Sequence, residues 1–447
     1  MQLEDFTLDK EQIFAYDRGK GGNGMHPQID SRTLKNKNIL CVDMKSFYAS
    51  CAALARGLDP LTTRLAVVAD LNRRGSVVLA ATPALKRDFG IRTGSRLFEI
   101  PDHETIIKVS AQMNLYLEVS TEVTRLFNKY VPKEAIHTYS IDESFLEVDG
   151  TNKLWGSAEK VAVLILSELK DTFGLTAAIG IGPNMLIAKL CLDLEAKKLG
   201  IARWDYEDIP KKLWPISPLS QMWGIGSRLE KRLNRMGITT IGQLANYSLK
   251  RLEKTFGVMG NQLYYHANGI DLSELGAPIL HGQISYGKSQ ILLRDYHQPK
   301  DIACVILEMC EEVGKRARSD HKAGRTIHLG IGYSKNEGGG GFHRSITLEN
   351  PTNITMEIFH ACMHLFHTFY TQKTVRKISI SLATICSDEY IQLSLFEKNR
   401  TVKRKLGYVM DTIRDKYGKD ALLHAVSYTE AGTALKRSKL VGGHYAK

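Results

Sequence analysis

Asp142 and Glu143 stand side by side in the stretch Tyr139-Ser140-Ile141-Asp142-Glu143-Ser144-Phe145-Leu146-Glu147-Val148, between two apolar-rich strand candidates. Adjacent acids are common on solvated turns, so the pair alone favours an ordinary surface hairpin. Far upstream, Asn38-Ile39-Leu40-Cys41-Val42-Asp43-Met44-Lys45-Ser46-Phe47-Tyr48-Ala49-Ser50 closes an apolar strand on a single acid, Asp43. Three carboxylates at neighbouring strand ends are hard anionic donors, a set that suits a divalent metal ion.

The elements that must position these acids follow from periodicity. Residues 38–43 read as a strand and 45–56 as a helix carrying Phe47 and Tyr48 just beyond Asp43. Two β-branched strands, 65–69 and 76–81, and a short helix, 83–89, with Lys86 and Arg87 and a closing Gly90, form a small basic subdomain. A helix over 112–130, the acid hairpin, a helix over 158–173 and a strand over 176–181 predict an antiparallel sheet backed by two helices, with the acids on its open side. The next helix, 185–198, carries Lys189, Lys197 and Lys198, and a helix start with nearby lysines suits a triphosphate.

Residues 213–271 read as a separate helical unit. There Trp223-Gly224-Ile225-Gly226 sets two glycines between short helices, leaving backbone N–H groups to face a phosphate. After a connector, strands at 284–293, 326–334, 342–348 and 377–385 and helices at 300–319 and 353–370 predict four strands backed by two helices. His360, His364 and His367 share one face of the second helix, but no carboxylate or Cys pair accompanies them, so no metal site is read there.

The 447 residues exceed one ordinary core and suggest about three domains. A formal net charge of +12 points to a polyanion, either nucleic acid or an acidic membrane surface. No apolar run is long enough to span a membrane and no signal-peptide core is visible, so a soluble, cytoplasmic protein without a membrane partner is expected. Seven scattered cysteines, never spaced Cys-x-x-Cys, read as reduced, mostly buried thiols. Gln392-Leu393-Ser394-Leu395-Phe396 would expose an apolar pair on a tail unless a partner pocket takes it.

Together, Val42-Asp43-Met44-x-x-Phe47-Tyr48-Ala49, Tyr139-Ser140-Ile141-Asp142-Glu143-Ser144-Phe145, Gly180-Ile181-Gly182-Pro183-Asn184-Met185-Leu186-Ile187-Ala188-Lys189-Leu190, the glycine hairpin and Gln392–Phe396 resemble the motifs of Y-family, lesion-bypass DNA polymerases. The pattern is closest to the UmuC-like group, in particular UvrX-like UV-damage repair proteins of Gram-positive bacteria. The resemblance implies an α/β multidomain, right-hand polymerase with an α/β palm, small fingers, a helical thumb with helix-hairpin-helix, and a four-strand, two-helix little finger. Its boundaries would be a leader at 1–36, palm at 37–47 and 110–205, fingers at 48–109, and thumb at 206–274. A linker at 275–287, little finger at 288–390, clamp-binding peptide at 391–397 and basic tail at 398–447 would complete it.

The same resemblance implies that Asp43, Asp142 and Glu143, with a main-chain carbonyl near Met44, hold two Mg2+ ions. Tyr48, beside Phe47, would be the steric gate against a ribose 2′-hydroxyl. Arg87 and Lys197, or its neighbour Lys198, would bind the dNTP triphosphate; Gly224, Gly226 and Lys189 would contact DNA. Gln392, Leu393, Leu395 and Phe396 would enter a sliding clamp. The implied function is translesion synthesis on primer-template DNA by a monomer, without proofreading. A catalytically silent DNA- and clamp-binding accessory protein is the alternative. This chain departs from the pattern at Thr82-Pro83-Ala84-Leu85, where many relatives have a Tyr, and carries about one extra residue before Lys197.

Overall fold

A computed structural model describes residues 34, 36–276, 285–389 and 399–446. The chain divides into two compact units, Met1–Ala277 with His444–Lys447, and Pro278–Gly443. Among the described residues, no helix is long and apolar enough to cross a membrane. The seven thiols are free, and six of them are buried.

In the first unit the apolar run before Asp43 forms β1 (Ile39–Met44), which turns at once into α1 (Phe47–Leu54). β2 (Arg64–Val68), β3 (Val78–Ala81), α2 (Pro83–Phe89) and β4 (Ile106–Ser110) follow, and the three strands make a small sheet in the order β3-β2-β4. β4, parallel to β2, is absent from the sequence reading, because its short run lacks a hairpin partner nearby in the chain. The main sheet comes from α3 (Met113–Tyr130), β5 (Ile136–Thr138), β6 (Glu143–Glu147), α4 (Ala158–Phe173), β7 (Ala177–Gly182), α5 (Met185–Cys191) and β8 (Ile201–Arg203). Its order is β5-β6-β1-β7-β8, antiparallel except for the β7–β8 edge. β1 lies at the centre, with Leu40, Cys41 and Val42 fully buried.

The helical unit predicted over 213–271 contains α6 (Ser227–Arg235) and the helices Ile241–Ala245, Leu249–Phe256 and Val258–Ala267. Ile225, Leu233, Ile241, Leu252 and Leu263 join one core with Leu186 and Leu190 of α5, which ties this unit to the sheet.

The second unit comprises β9 (Ser285–Tyr296), α7 (Pro299–Ser319), β10 (Lys322–Tyr333), β11 (Gly341–Thr352), α8 (Thr355–Phe369) and β12 (Val375–Ser387). Its four strands run antiparallel in the order β11-β10-β12-β9. Leu329, Ile331, Ile378 and Ile380 pack against Val305, Val313, Cys362 and Phe366 of the two helices.

The sequence reading leaves the chain beyond residue 398 without a role, whereas α9 (Arg400–Tyr417) is built into this unit. Arg318 of α7, 2 % exposed, grips Asp411 through Nε at 2.6 Å and Nη2 at 3.2 Å. Arg414 reaches Glu311 at 2.8 Å and Arg400 reaches Glu357 at 3.2 Å. This docking is ionic rather than apolar, which is why a search for hydrophobic periodicity passes over it. Removing one partner of a buried pair strands the other charge, at a cost of about 3–5 kcal/mol. Asp411→Ala should therefore lower unfolding stability of the full chain by that order in urea titration, and far more than Asp415→Ala on the same helix.

Candidate active site

The pairing of β1 with β6 sets Asp43 directly opposite Glu143. Residues opposite one another in a ladder point to the same face, so both carboxylates and Cys41 share one side of the sheet. The Cys41 thiol donates to Glu143 Oε1 at 3.4 Å, and burial pushes it well above the ordinary thiol range, so it stays protonated. Asp142 occupies the turn before β6 rather than a strand end. Its main-chain carbonyl accepts from the Met44 N–H at 2.9 Å, and its carboxylate accepts from the Ser140 hydroxyl at 2.6 Å. The Tyr139 and Ser140 N–H groups both close on the Glu143 carbonyl, so the residues expected to extend the first strand are spent in the turn.

The acids are not on an open face. Ala178, Gly180 and Gly182 of β7 lie opposite Asp43, Cys41 and Ile39, and α5 packs against this small-residue strip. A Cβ on Gly180 would fall 2.3 Å from the Ala188 carbonyl and 2.4 Å from the Leu192 nitrogen; one on Gly182 would fall 2.5 Å from the Ala188 nitrogen. That close approach delivers two lysines and a fourth acid. Lys189 Nζ donates to Glu143 Oε2 at 2.8 Å and to Asp193 Oδ1 at 3.2 Å. Lys197 Nζ lies 2.6 Å from Asp43 Oδ2 and 2.8 Å from Asp193 Oδ1. Burial raises the Asp43 carboxyl above the usual carboxylate range although Lys197 pulls it down. For Lys197, burial is outweighed by its bonds to Asp193 and Asp43, which hold it as the ammonium ion.

Three assignments change in this setting. Lys189, expected at DNA, is 7 % exposed and spent on two carboxylates, so it has no surface to offer a nucleic acid. Phe47 is buried at 2 %, which leaves the adjacent ring, Tyr48, as the one facing outward. Arg87 turns to Asp88 at 2.8 Å with its side chain 69 % exposed, whereas Lys86 reaches back to the Ser46 hydroxyl at 2.8 Å. Burial lowers the Lys86 pKa, and the charges that act on it, Asp43, Lys45 and Lys197, are those of the acid cluster. Nothing in the sequence separates two adjacent basic residues; the direction of α2 does. Asp193 was also missed, although the i, i+4 ladder Lys189, Asp193, Lys197 is a visible charge pattern. A π-turn, Leu192–Ala196, precedes Lys197, and it is Lys197, not Lys198, that meets Asp43.

Tyr48 stacks on Tyr116 of α3, with centroids 4.4 Å apart and planes 11° from parallel. Trp223 packs edge-on against Tyr139 at 5.9 Å. Gly224 adopts a left-handed φ of 91° and Gly226 caps α6, with open space where either would carry a Cβ. Gln392, Leu393, Leu395 and Phe396 lie outside the described residues.

Among the described residues, no three His, Cys, Asp or Glu side chains are gathered closely enough to hold a metal ion. The donor chemistry nevertheless fits one. The available ligands are carboxylate and carbonyl oxygens, which suit magnesium; the neighbouring sulfur is a protonated thiol; and ammonium groups already sit on Asp43 and Glu143, so these acids face cation partners.

Residues 42–193 match the impB/mucB/samB family, 283–395 its C-terminal domain, and 220–271 the thumb domain of DNA polymerase iota. With this sheet, its acid face and the helical and four-stranded units that follow, the chain belongs to the Y-family of DNA-directed DNA polymerases. It is 61% identical over 418 residues to the UvrX protein of Bacillus subtilis (strain 168), described as a UV-damage repair protein, covering 93% of this chain and 99% of that one. It is 38% identical to DNA polymerase IV 2 of the same organism, covering 92% and 100%. A solved Y-family DNA polymerase chimera shares the fold with a TM-score of 0.60 at 21% identity, over 78% of this chain and 99% of that one.

The glycine strip is directly testable. Gly180→Ala drives a methyl group into helix backbone that cannot yield, so it should cost at least about 1–3 kcal/mol in urea unfolding. It should also weaken incorporation by moving Lys189 and Asp193, whereas Gly75→Ala, with open space around it, should do neither.

Proposed function

We propose that this protein is a template-directed DNA polymerase that extends primers past damaged template bases, with low processivity and no proofreading. The observation that carries the reading is the register of β1 and β6, which sets Asp43 against Glu143 with Asp142 in the adjoining turn. A catalytically silent accessory protein would have no need to keep three acids and two lysines packed into one face.

Asp43, Asp142, Glu143 and the Met44 carbonyl are the residues that would hold two magnesium ions. Magnesium held there would supply Lewis-acid activation of the primer 3′-hydroxyl and positive charge for the triphosphate and the leaving pyrophosphate. The chain's own residues do the positioning. Lys197 and Lys86 flank the acids and supply positive charge for triphosphate oxygens; Arg87, one residue on, is exposed and paired with Asp88 and is the weaker candidate. Tyr48, pinned by Tyr116, stands as the gate against a ribose 2′-hydroxyl.

Primer-template DNA would meet backbone N–H groups at Gly224 and Gly226. A second contact is the open face of the four-stranded sheet, a shallow trough floored by Gly330 and lined by His328, His343, Ser379 and Ser381. Such contacts engage phosphates without reading sequence, as a polymerase requires. Gln392–Phe396 remains the proposed sliding-clamp peptide, and tethering would raise the local concentration of an enzyme with weak intrinsic grip.

Primer extension tests the reading. Asp142→Ala or Glu143→Ala should abolish dNTP incorporation, on undamaged and lesion-bearing templates alike, while primer-template binding persists; extension retained by either variant refutes the assignment. Separately, Tyr48→Ala should admit ribonucleotides. A dNTP-to-NTP preference equal to that of the wild type would remove Tyr48 from the gate.

A further inference from the structure

Five charged side chains form an unbroken chain on the acid face: Asp43, Lys197, Asp193, Lys189 and Glu143. Asp193 Oδ1 is its centre, accepting from Lys189 at 3.2 Å and lying 2.8 Å from Lys197. The two lysines are not equivalent. Lys189 is 7 % exposed and clamped between Glu143 and Asp193; Lys197 is 45 % exposed and reaches Asp43 at 2.6 Å from its outer side. One is fixed and the other has room to move.

Backbone geometry favours this arrangement. Four residues overshoot one turn of an α-helix and undershoot one turn of a π-helix. The α-helical step from Lys189 to Asp193 and the step through the π-turn Leu192–Ala196 to Lys197 therefore offset one another, keeping all three side chains in line. Glu195, within that turn, faces elsewhere, bonded to Trp204 at 2.5 Å and Lys212 at 3.2 Å, which anchors the bulge.

We propose that Lys197 and a divalent cation compete for Asp43, and that Lys197 pivots on Asp193 from the Asp43 carboxylate to the nucleotide triphosphate. Asp193 is then a positioning residue for nucleotide binding. This deepens the polymerase reading and rests on it. An ammonium ion bonded to Asp43 Oδ2 occupies one of the lone-pair directions a metal would use, and its charge opposes the approach of a second cation. The cost of displacing it is returned when the triphosphate takes the freed ammonium. Metal and nucleotide binding are coupled as a result, each making the other more favourable.

The exchange separates two effects that an ordinary phosphate-binding lysine would not. In Mn2+ titrations of the full chain without nucleotide, followed by electron paramagnetic resonance, Lys197→Ala should bind Mn2+ about fivefold to tenfold more tightly than the wild type. The same variant should raise the KM for dNTP by at least about tenfold in primer extension. Asp193→Asn should raise the dNTP KM as well, but weaken Mn2+ binding, because Lys197 is left to Asp43 alone; Asp193→Glu should restore both in part. Lys198→Ala, next to Lys197 but without its contacts, should change neither. Unchanged or weaker Mn2+ binding by Lys197→Ala overturns the competition, even if its dNTP KM rises. If the wild type binds Mn2+ and extends primers while Lys197→Ala binds no tighter, the exchange alone fails. If the wild type neither binds Mn2+ nor extends primers, the polymerase reading fails with it.

Discussion

Carboxylates do not gather without positive charge between them, and that constraint organises the first unit. Strand pairing forces Asp43 and Glu143 onto one face at the end of a fully buried central strand, where water screens them poorly. Left alone, such a pair would favour protonation or a parting of the strands. The chain answers with two ammonium groups from one helix, and the surrounding architecture serves to bring that helix close. Gly180 and Gly182 are glycine because the helix backbone lies where their Cβ atoms would be. Asn184, at the N-terminus of α5, bonds the Ile187 N–H at 2.8 Å and the Gly269 carbonyl at 2.9 Å, fixing where the helix begins.

Buried ion pairs recur in the second unit with a different purpose. Arg318 with Asp411 and Arg414 with Glu311 hold α9 against α7. Such pairs contribute little net stability over well-packed hydrophobic residues, but they fix register, since a one-residue slip would leave each guanidinium buried and unmatched. In both units buried ion pairs help to fix where a helix lies.

This reliance on charge limits what could be read from the sequence. Alternation and helical spacing reveal the long elements with apolar cores: β1, α3, α4, β7 and the four strands and two helices of the second unit, whose cores hold Ile, Leu and Val at regular intervals. The placement of Asp43 at a strand end and of Asp142 and Glu143 at a hairpin is legible because apolar runs flank them, whereas the role expected of them comes from the family resemblance. The edge strands β4 and β8 are not, being short and paired in parallel with distant partners. The destinations of Lys86, Arg87 and Lys189 are likewise hidden, because a basic residue on a short helix looks the same in sequence whether it faces solvent or a buried acid. Lys189 shows the limit most clearly: its lysine neighbours suggest a basic surface, and only the close contact of α5 with β7 turns it inward.

The turn after Asp43 ties Tyr48 to the acid cluster. Only Lys45 and Ser46 separate β1 from α1, and Ser46 adopts a left-handed φ of 51°, a conformation that costs a non-glycine residue about 1 kcal/mol or more. Its hydroxyl accepts from Lys86, and the Lys45 N–H bonds the Thr176 carbonyl at 2.7 Å, so strand, helix and basic subdomain meet at this turn. A longer loop would relieve the strain but let Tyr48 drift relative to Asp43. With Phe47 locked in the core and Tyr48 flat against Tyr116, the ring has little freedom along or across the stack. The gate proposed at Tyr48 must be rigid on the scale of one atom to reject one hydroxyl group, and a short strained turn supplies that rigidity where a flexible one would not.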